Sequence, residues 1–416
     1  MSPITATAFV VEWKKMETHT KMTDNTKTNI KVIFALTLVH FIGDFYSSFS
    51  TPLIPSFVDK FSLSMAQVGL FTGIIRFLAF IVQPTVGYFA DRYQTRIFAL
   101  GGLVMTIAFI PLAGAAPTFY LLVLLFALGS MGSSMFHPAV TGMVPLYGGR
   151  NAGFSMSIFN TGGTLAFGIG PIFIAWFVVK FGLTSMPVTM LIGIVPLVYL
   201  YRVLPVPVSE GMRYSGFMGS MRETLGAVWK PLTLIWMVMV MRAAIAQSFI
   251  TFMTVLLADK GYSLISIGGI TSIFIVAGTA SGLITGFLSD RIDFKKIFMV
   301  AHAMMVPAFL IFLHAQASWV YPAAALGGFF ALATLPIGVV MAQELAPKGR
   351  SMVASLMMGF AYGLGGAFSP LVGKIADLTS IHATLFWLSF MPLATVVVIW
   401  FFPRIRGFRA RDQRTE

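Results

Sequence analysis

Three ionised side chains interrupt the long apolar runs of this sequence at similar depths. Asp44 stands in the first run, Arg76 in the second and Arg242 in the seventh. Asp44 is about thirteen residues into its run, roughly 20 Å along a helix that rises about 1.5 Å per residue, and both arginines lie at comparable depths. A charge at the centre of a bilayer costs about 3 kcal/mol or more. We therefore expect all three side chains to face a shared interior cavity.

The signs of these charges leave two interpretations open. Asp44 and Arg76 could form an ion pair that only ties two helices together. Arg242 then has no acidic residue left at mid-depth, and an unpaired arginine in a cavity calls for an anion. The sequence therefore predicts a small anionic or zwitterionic substrate, such as a phosphonate, phosphate ester or carboxylate, held by Arg242 with or without Arg76.

Asp44 is also the predicted proton carrier. A carboxyl group in a cavity can gain or lose a proton when a motion changes its neighbours. His40 lies one helical turn before Asp44 on the same face, and His137 lies near mid-depth in the fourth run, so either can share the proton. For each histidine, a hydrogen-bonded structural role is the alternative interpretation.

Four further polar residues inside apolar runs are candidate substrate contacts. A lone polar residue in a spanning helix commonly only bonds a neighbouring helix, and that is the alternative for each. The four are Asn160, Gln247, Tyr46 and Tyr362.

The sequence lacks the residue patterns of an enzyme. Cysteine is absent, which excludes thiolate nucleophiles, thiolate metal sites and disulfides. No Walker-type glycine loop, zinc-spaced histidine pair or esterase elbow is present. We therefore expect no cofactor, no metal and no catalytic residue, and energy must come from an ion or substrate gradient.

Composition indicates that this chain lies in a membrane and not in water. Of its 416 residues, 57% are hydrophobic and only 10% charged, with a mean hydropathy of +0.85. Soluble domains carry about 25% charged residues, so a water-soluble fold is excluded. At about 20 residues per spanning helix, the chain holds on the order of a dozen spans, and we count twelve apolar runs, the eleventh at 352–375.

The basic residues predict the orientation. The net charge of +13 would suggest nucleic acid in a soluble protein. Here 22 of the 28 lysines and arginines fall on one side when both termini are placed in the cytoplasm, which satisfies the positive-inside rule. We expect a multi-pass protein of a cell inner membrane, with the lipid bilayer as its surroundings and no nucleic-acid partner.

The two halves of the chain resemble each other. VDKFSLS at 58–64 corresponds to ADKGYSL at 258–264, and VGYFADRYQTR at 86–96 to TGFLSDRIDFKK at 285–296. A near-constant offset of about 200 residues indicates duplication, with two six-helix repeats around a central axis. The predicted division is a tail at 1–30, a bundle at 31–203, a linker at 204–230, a second bundle at 231–403 and a basic tail at 404–416.

The stretch Gly87 to Arg96 resembles the G-x-x-x-D-R-x-G-R-[RK] signature of the major facilitator superfamily, and its second copy lies where that superfamily repeats it. The resemblance covers about residues 31–403. It implies an all-α membrane protein with twelve transmembrane helices in two pseudo-symmetric bundles, working by alternating access.

The residue types of this motif favour a role as a conformational gate. The glycines let a neighbouring helix approach closely, and a carboxylate beside basic residues can pair across the two halves. The alternative is a charge cluster that only sets topology. The gate candidates are Gly87, Asp91, Arg92 and Arg96 in the first copy and Gly286, Asp290, Arg291 and Lys295 in the second.

Two further stretches resemble one branch of that superfamily. HFIGD at 40–44 and GSMGSSMFHPAVTGMV at 129–144 are similar to the fosmidomycin-resistance branch of drug exporters, and the glycines at 162–170 resemble the antiporter motif of proton-driven exporters. The resemblance implies proton-coupled export of small anionic or amphiphilic compounds by a monomer. The alternatives are an uptake symporter or exchanger for an organic anion, and a membrane-embedded sensor or enzyme on the same scaffold.

Overall fold

The structure is a computed structural model that describes residues 27–92, 96–148, 152–206, 228–289, 291–345, 353 and 356–402. Within these ranges the regular secondary structure is helical. The first half contains α1 (Ile30–Ser47), α2 (Ile54–Phe61), α3 (Met65–Arg92), α4 (Gly102–Leu112), α5 (Phe119–Thr141), α6 (Met143–Gly148), α7 (Ala152–Phe181) and α8 (Met190–Val203). The second half contains α9 (Trp229–Asp259), α10 (Leu264–Ser289), α11 (Phe294–His314), α12 (Val320–Leu332), α13 (Leu335–Leu345), α14 (Ala361–Gly366), α15 (Ser369–Leu378), α16 (Ile381–Leu388) and α17 (Met391–Trp400).

Eleven helical segments of the described chain are long and apolar enough to cross a membrane. They correspond to the predicted spans one to ten and twelve. The remaining predicted span, at 352–375, is occupied by the π-helix Leu356–Phe360 followed by α14 and α15, which are three short helices in succession. The all-helical membrane fold expected from composition is confirmed.

We name the two ends of the molecule by the predicted topology. The inner end carries the start of α1, the end of α8 and the start of α9, and is predicted to be cytoplasmic; the opposite end is the outer end. Of the predicted linker, residues 207–227 lie outside the described residues, as do residues 1–26 and 403–416 of the tails.

The duplication recurs in the contacts at the outer end. Lys60 Nζ donates to the carbonyl of Gly114 at 3.2 Å, and Lys260 Nζ, 200 positions later, donates to Leu313 at 2.9 Å. Each lysine thus holds the outer end of the third helix of its own half. Burial lowers the pKa of both lysines.

The halves pack together most closely at the outer end. There α3 packs along α15, and α7 along α10. The carboxylate of Asp377, at the end of α15, accepts hydrogen bonds from the backbone N–H groups of Met65 (2.6 Å) and Ala66 (2.9 Å), the first two residues of α3. One half therefore caps a helix N-terminus of the other, where unpaired N–H groups and the helix dipole favour a negative charge. The outer end is closed.

The basic motif residues at the inner end bind within their own halves. Arg96 donates to the carbonyl of Tyr201 at 3.0 Å, and Lys295, 199 positions later, donates to that of Trp400 at 2.5 Å. The expected pairing of a motif carboxylate across the halves stays a prediction, because the Asp91 side chain and Asp290 lie outside the described residues. Arg96 and Lys295 each tie the start of the third span of their half to the end of its sixth, because the carbonyls at a helix C-terminus lack intrahelical partners.

The hydrophobic core is continuous across the halves toward the outer end, whereas the inner part of the second half has a separate core cluster. In the second half, a layer of buried polar side chains lies between the two clusters. Its members are Arg242 on α9, His302 on α11 and Thr334 in the break between α12 and α13.

Candidate functional site

Asp44 lies between two histidines. Its Oδ2 is 3.1 Å from His40 Nε2 on the same helix, and its Oδ1 is 3.1 Å from His137 Nε2 on α5. Asp44 and His40 are buried, and 28% of the His137 side chain is exposed. We call these three residues the triad. The i, i+4 spacing of His40 and Asp44 places both on one face of α1, and α5 supplies the third member.

Backbone carbonyls fix the ring orientation of both histidines. His40 Nδ1 lies 2.9 Å from the carbonyl oxygen of Phe159, and His137 Nδ1 lies 2.7 Å from that of Ser133. A carbonyl oxygen only accepts, so each Nδ1 carries a hydrogen that it donates. Aromatic stacking supports this arrangement, since His40 stacks on Phe159 and His137 on Phe136. Both Nε2 atoms are thereby directed at the carboxylate.

This orientation sets the number of hydrogens that the triad can hold. Each Nε2···O contact of 3.1 Å is a hydrogen bond when a hydrogen lies between its two atoms. The triad can therefore hold up to two such hydrogens, one in each contact.

Gly163 on α7 makes room for the triad. A Cβ at this position would lie 2.6 Å from His40 Nε2 and 2.8 Å from Asp44 Oδ2, closer than side chains tolerate. The absence of a side chain thus allows α7 to close over the triad.

Arg76 does not pair with Asp44, so the alternative of an ion pair that only ties two helices together does not hold in this structure. Arg76 instead reaches from α3 to the second half, where its Nη1 donates to the Tyr362 hydroxyl at 2.9 Å and its guanidinium lies 5.2 Å from the centre of that ring. Gly366, one turn after Tyr362, lets the side chain pass, because a Cβ there would lie 2.8 Å from Arg76 Cγ. The contact joins the two halves at mid-depth.

Arg242 is the largest fully buried side chain, with 1% of its surface exposed. Its Nη1 donates to the carbonyl of Ala331 at 3.3 Å, while its Nε has no hydrogen-bond partner. Within the described residues no carboxylate forms an ion pair with Arg242 or Arg76, and Asp44 is paired with the two histidines. Tyr362 lies within electrostatic reach of Arg242 and so stands near both guanidinium groups.

Other buried polar atoms of the second half also lack partners. His302 donates from Nδ1 to the Phe298 carbonyl, but its Nε2 has no hydrogen-bond partner. Arg242 lies close enough to interact with His302 electrostatically. Gln247 Nε2 and Thr334 Oγ1 are likewise unpartnered. Unsatisfied buried groups of this kind cost about 1–3 kcal/mol each and are typical of sites that bind water or ligand.

The remaining predicted substrate contacts lie apart from one another. Asn160 is exposed on α7, three residues before Gly163. Tyr46 does not line a cavity, contrary to the expectation. It is fully buried, and its hydroxyl donates to the Thr189 carbonyl of its own half at 2.6 Å.

Several gate candidates lie outside what the structure describes. Asp290 falls outside the described residues, and the surroundings of Gly87 and the side chains of Asp91 and Arg92 do too. No atom of the described residues lies within 4 Å of the place where a Cβ of Gly286 would stand, so among them the close helix approach expected there is absent in this conformation. Arg291 lies over the Phe287 ring of its own half.

Sequence reasoning missed two residues. His302 stands alone in an apolar run and gave no pattern. Asp377 follows the predicted eleventh span and looks like an ordinary loop carboxylate; its only signal is an acidic residue at the end of a span that packs beside a helix N-terminus. That neighbour is 312 positions away in sequence.

Comparison with known proteins identifies the family of this sequence. The sequence model of the Major Facilitator Superfamily matches residues 36–370, with a second match at 235–416. The fosmidomycin resistance protein of Escherichia coli (strain K12) is 27% identical over 385 residues, which cover 91% of this chain and 94% of that protein. YfnC of Bacillus subtilis (strain 168), an uncharacterized transporter of the MFS type, is 22% identical over 395 residues, covering 88% of this chain and 91% of its own.

Solved structures agree on the fold. A bacterial homolog of the human lysosomal transporter Spinster, in its inward-facing and unoccupied conformation, superposes with a TM-score of 0.73 over 90% of this chain and 96% of that one, at 16% identity. The nucleoside transporter NupG gives a TM-score of 0.73 over 89% and 98%, at 14% identity. Transporters of this type carry small molecules across membranes and are not enzymes. The chain belongs to the Major Facilitator Superfamily.

Proposed function

We propose that the protein exports small anionic or amphiphilic compounds in exchange for protons, by alternating access of its two halves. One observation carries the proposal. The buried carboxylate of the described residues, Asp44, is paired with two histidines, which leaves the guanidinium groups of Arg76 and Arg242 without an internal anion. Charges buried without a counter-ion are expensive, and an anionic substrate would supply one.

Arg76, Arg242 and Tyr362 are the proposed substrate-binding residues. They come from both halves and meet at mid-depth. A guanidinium group can bind a carboxylate or phosphonate through two parallel hydrogen bonds, and the Nε of Arg242 is free to make one of them. Gln247 and Asn160 are secondary candidates on α9 and α7.

The triad is the proposed proton site. With two hydrogens, both Nε2···O contacts are hydrogen bonds; when one proton leaves, one contact brings two acceptors together and must open. His137 is the more exposed histidine and stands on α5, whereas Asp44 and His40 share α1. Loss of the proton between Asp44 and His137 would therefore alter the spacing of α1 and α5, which is the kind of motion that alternating access uses.

The relative from Escherichia coli is named for resistance to fosmidomycin. Resistance by a transporter is most simply achieved through export, and this supports the proposed direction. We further propose that the protein works as a monomer in a bacterial inner membrane, with both termini in the cytoplasm, as its basic residues predict.

The test is accumulation in proteoliposomes under an imposed pH gradient, with fosmidomycin, a simple phosphonate, a carboxylate and a cationic drug as substrates. Antiport predicts that an acidic lumen drives anion accumulation, because protons leave as substrate enters. Arg242→Gln should abolish the preference for anions, and Lys180→Gln, at an exposed position near the end of α7, should not. The proposal fails if Arg242→Gln leaves transport rate and substrate affinity unchanged.

A second function, proton symport of an organic anion, is favoured by one feature of the charges. A triad with two hydrogens carries a net charge of +1, and its attraction for an anion in the same protein would favour movement of both in one direction. The same assay separates the two functions: symport predicts accumulation when the lumen is alkaline.

A further inference from the structure

We propose that the triad of His40, Asp44 and His137 also binds one divalent transition-metal ion of the zinc type, through one nitrogen of each histidine and the carboxylate. The inference concerns binding and does not depend on the direction or substrate of transport. It reverses the expectation from sequence that the chain has no metal site, because the third ligand lies 97 positions from His40 and gives no zinc-like spacing.

The three residues lie close enough to share one ion. One nitrogen from each histidine and one carboxylate oxygen lie within 4.8 Å of one another; His40 Nε2 is 3.1 Å from Asp44 Oδ2, and His137 Nε2 is 3.1 Å from the other oxygen, Oδ1. Ligand atoms bound tetrahedrally to zinc at about 2.0–2.1 Å are about 3.3 Å apart. Side-chain rotations that draw the three atoms together would therefore admit the ion.

Both imidazole rings are held as metal-binding histidines usually are. In such sites the non-coordinating nitrogen donates to a carbonyl or carboxylate, which fixes the tautomer and directs the other lone pair at the metal. Here His40 Nδ1 donates to the carbonyl of Phe159, and His137 Nδ1 to that of Ser133. The outer hydrogen bonds of a metal site are thus in place.

The ligand set also selects the metal class. Two imidazole nitrogens and one carboxylate suit Zn²⁺, Co²⁺ or Ni²⁺, whereas Mg²⁺ and Ca²⁺ require more oxygen ligands. Three protein ligands leave the fourth position for water, and the partly exposed His137 gives the ion a route to the site. A bound metal would join α1 to α5 and hold the spacing that proton loss must change.

The test is isothermal titration of the purified full-length protein with Zn²⁺, without a polyhistidine tag and without substrate or gradient. We expect one ion to bind, with Mg²⁺ producing no competing heat. His137→Gln and His40→Gln should each weaken Zn²⁺ binding at least about tenfold, since removing one ligand costs at least as much as losing its outer partner.

Matched controls come from the other histidines. The rings of His314 and His382 lie 6.4 Å apart at the outer end and offer a competing site. The double variant His314→Gln/His382→Gln should retain the Zn²⁺ affinity that the triad variants lose. Loss of binding in this double variant, or unchanged binding in His137→Gln, would overturn the inference.

Two further measurements separate lost binding from failed folding. Zn²⁺ should raise the unfolding temperature of the unchanged protein and of the outer-pair variant, but not that of His137→Gln. Co²⁺ should give the visible absorption of a four-coordinate ion only where the triad is intact. Metal binding without proton-coupled transport would defeat the proposed function alone; proton coupling that depends on Asp44 without metal binding would defeat this inference alone.

Discussion

The two halves of the molecule treat buried charge in opposite ways. In the first half, Asp44 is paired on both oxygens and each histidine nitrogen has a partner. In the second half, Arg242 is fully buried without a carboxylate, and His302 keeps a bare nitrogen. The sequences of the halves are related, yet the chemistry inside them has diverged.

The difference indicates a division of labour. A network whose members are all satisfied can exchange a hydrogen internally at little cost, which suits a proton site. A buried cation whose N–H groups lack partners can still form hydrogen bonds with a ligand, which suits an anion site. Arg76 and Tyr362 join the halves between these two regions, so each can respond to the other.

Asp44→Asn should have the largest effect on transport. An amide cannot cycle a proton, so accumulation driven by a pH gradient should fall at least about a hundredfold, the usual scale for loss of a positioned proton-transfer group. Exchange of substrate without a gradient should persist. Counterflow and gradient-driven uptake in the same vesicles measure both, and unchanged accumulation would show that the first half does not carry the coupling.

Arg242→Met should sharpen the comparison by separating binding from stability. Substrate affinity should fall about 30-fold, since a charged hydrogen bond contributes about 2 kcal/mol. The free energy of unfolding should stay the same or rise by about 1 kcal/mol, because an uncompensated buried charge is removed. Calorimetric binding and thermal unfolding measure the two effects.

Arg76→Met is the matched control for this variant. Arg76 has a hydrogen-bonded partner, Tyr362, so its removal should cost about 1 kcal/mol of stability as well as affinity. If both methionine variants destabilise the protein equally, Arg242 must have a stabilising interaction partner within the protein, and the proposed anion site loses its basis.

The sequence predicts the individual charged residues well because the cost of a charge in lipid is a local property. Asp44, Arg76 and Arg242 were identifiable from hydropathy alone, and so were eleven of the twelve predicted spans. The i, i+4 relation of His40 to Asp44 also follows from helix geometry.

Partnerships between helices are not local, and sequence reasoning failed there. Arg76 contacts Tyr362 across 286 positions, and Asp377 caps a helix 312 positions away. Choosing between Asp44 and Tyr362 as the partner of Arg76 requires knowing which faces of α1, α3 and α14 meet. Hydropathy cannot supply this, because every face of a spanning helix is apolar.

Gly163→Ala should disturb the triad with a smaller effect than removing one of its members. The added methyl group would overlap His40 and Asp44 and force them apart. We expect gradient-driven transport to fall about tenfold, on the scale of 1.4 kcal/mol. Gly269→Ala is the control, since the nearest atom to a Cβ there is on the Tyr321 ring at 3.6 Å, an ordinary contact; equal losses in both would show that general packing, and not the triad, is at fault.

Asp377→Ala should have the smallest effect and acts on neither interior region. It removes two hydrogen bonds that one half makes to the N-terminus of α3 in the other, an exposed cap of about 1 kcal/mol. The closed outer end should become less populated by about fivefold. Because the chain has no cysteine, a cysteine pair introduced at Ala66 and Lys374 reports closure through cross-linking. Cross-linking should slow in Asp377→Ala and remain near normal in Asp377→Asn, which keeps one acceptor oxygen. An unchanged cross-linking rate in the alanine variant would mean that apolar packing of α3 on α15 alone closes the outer end.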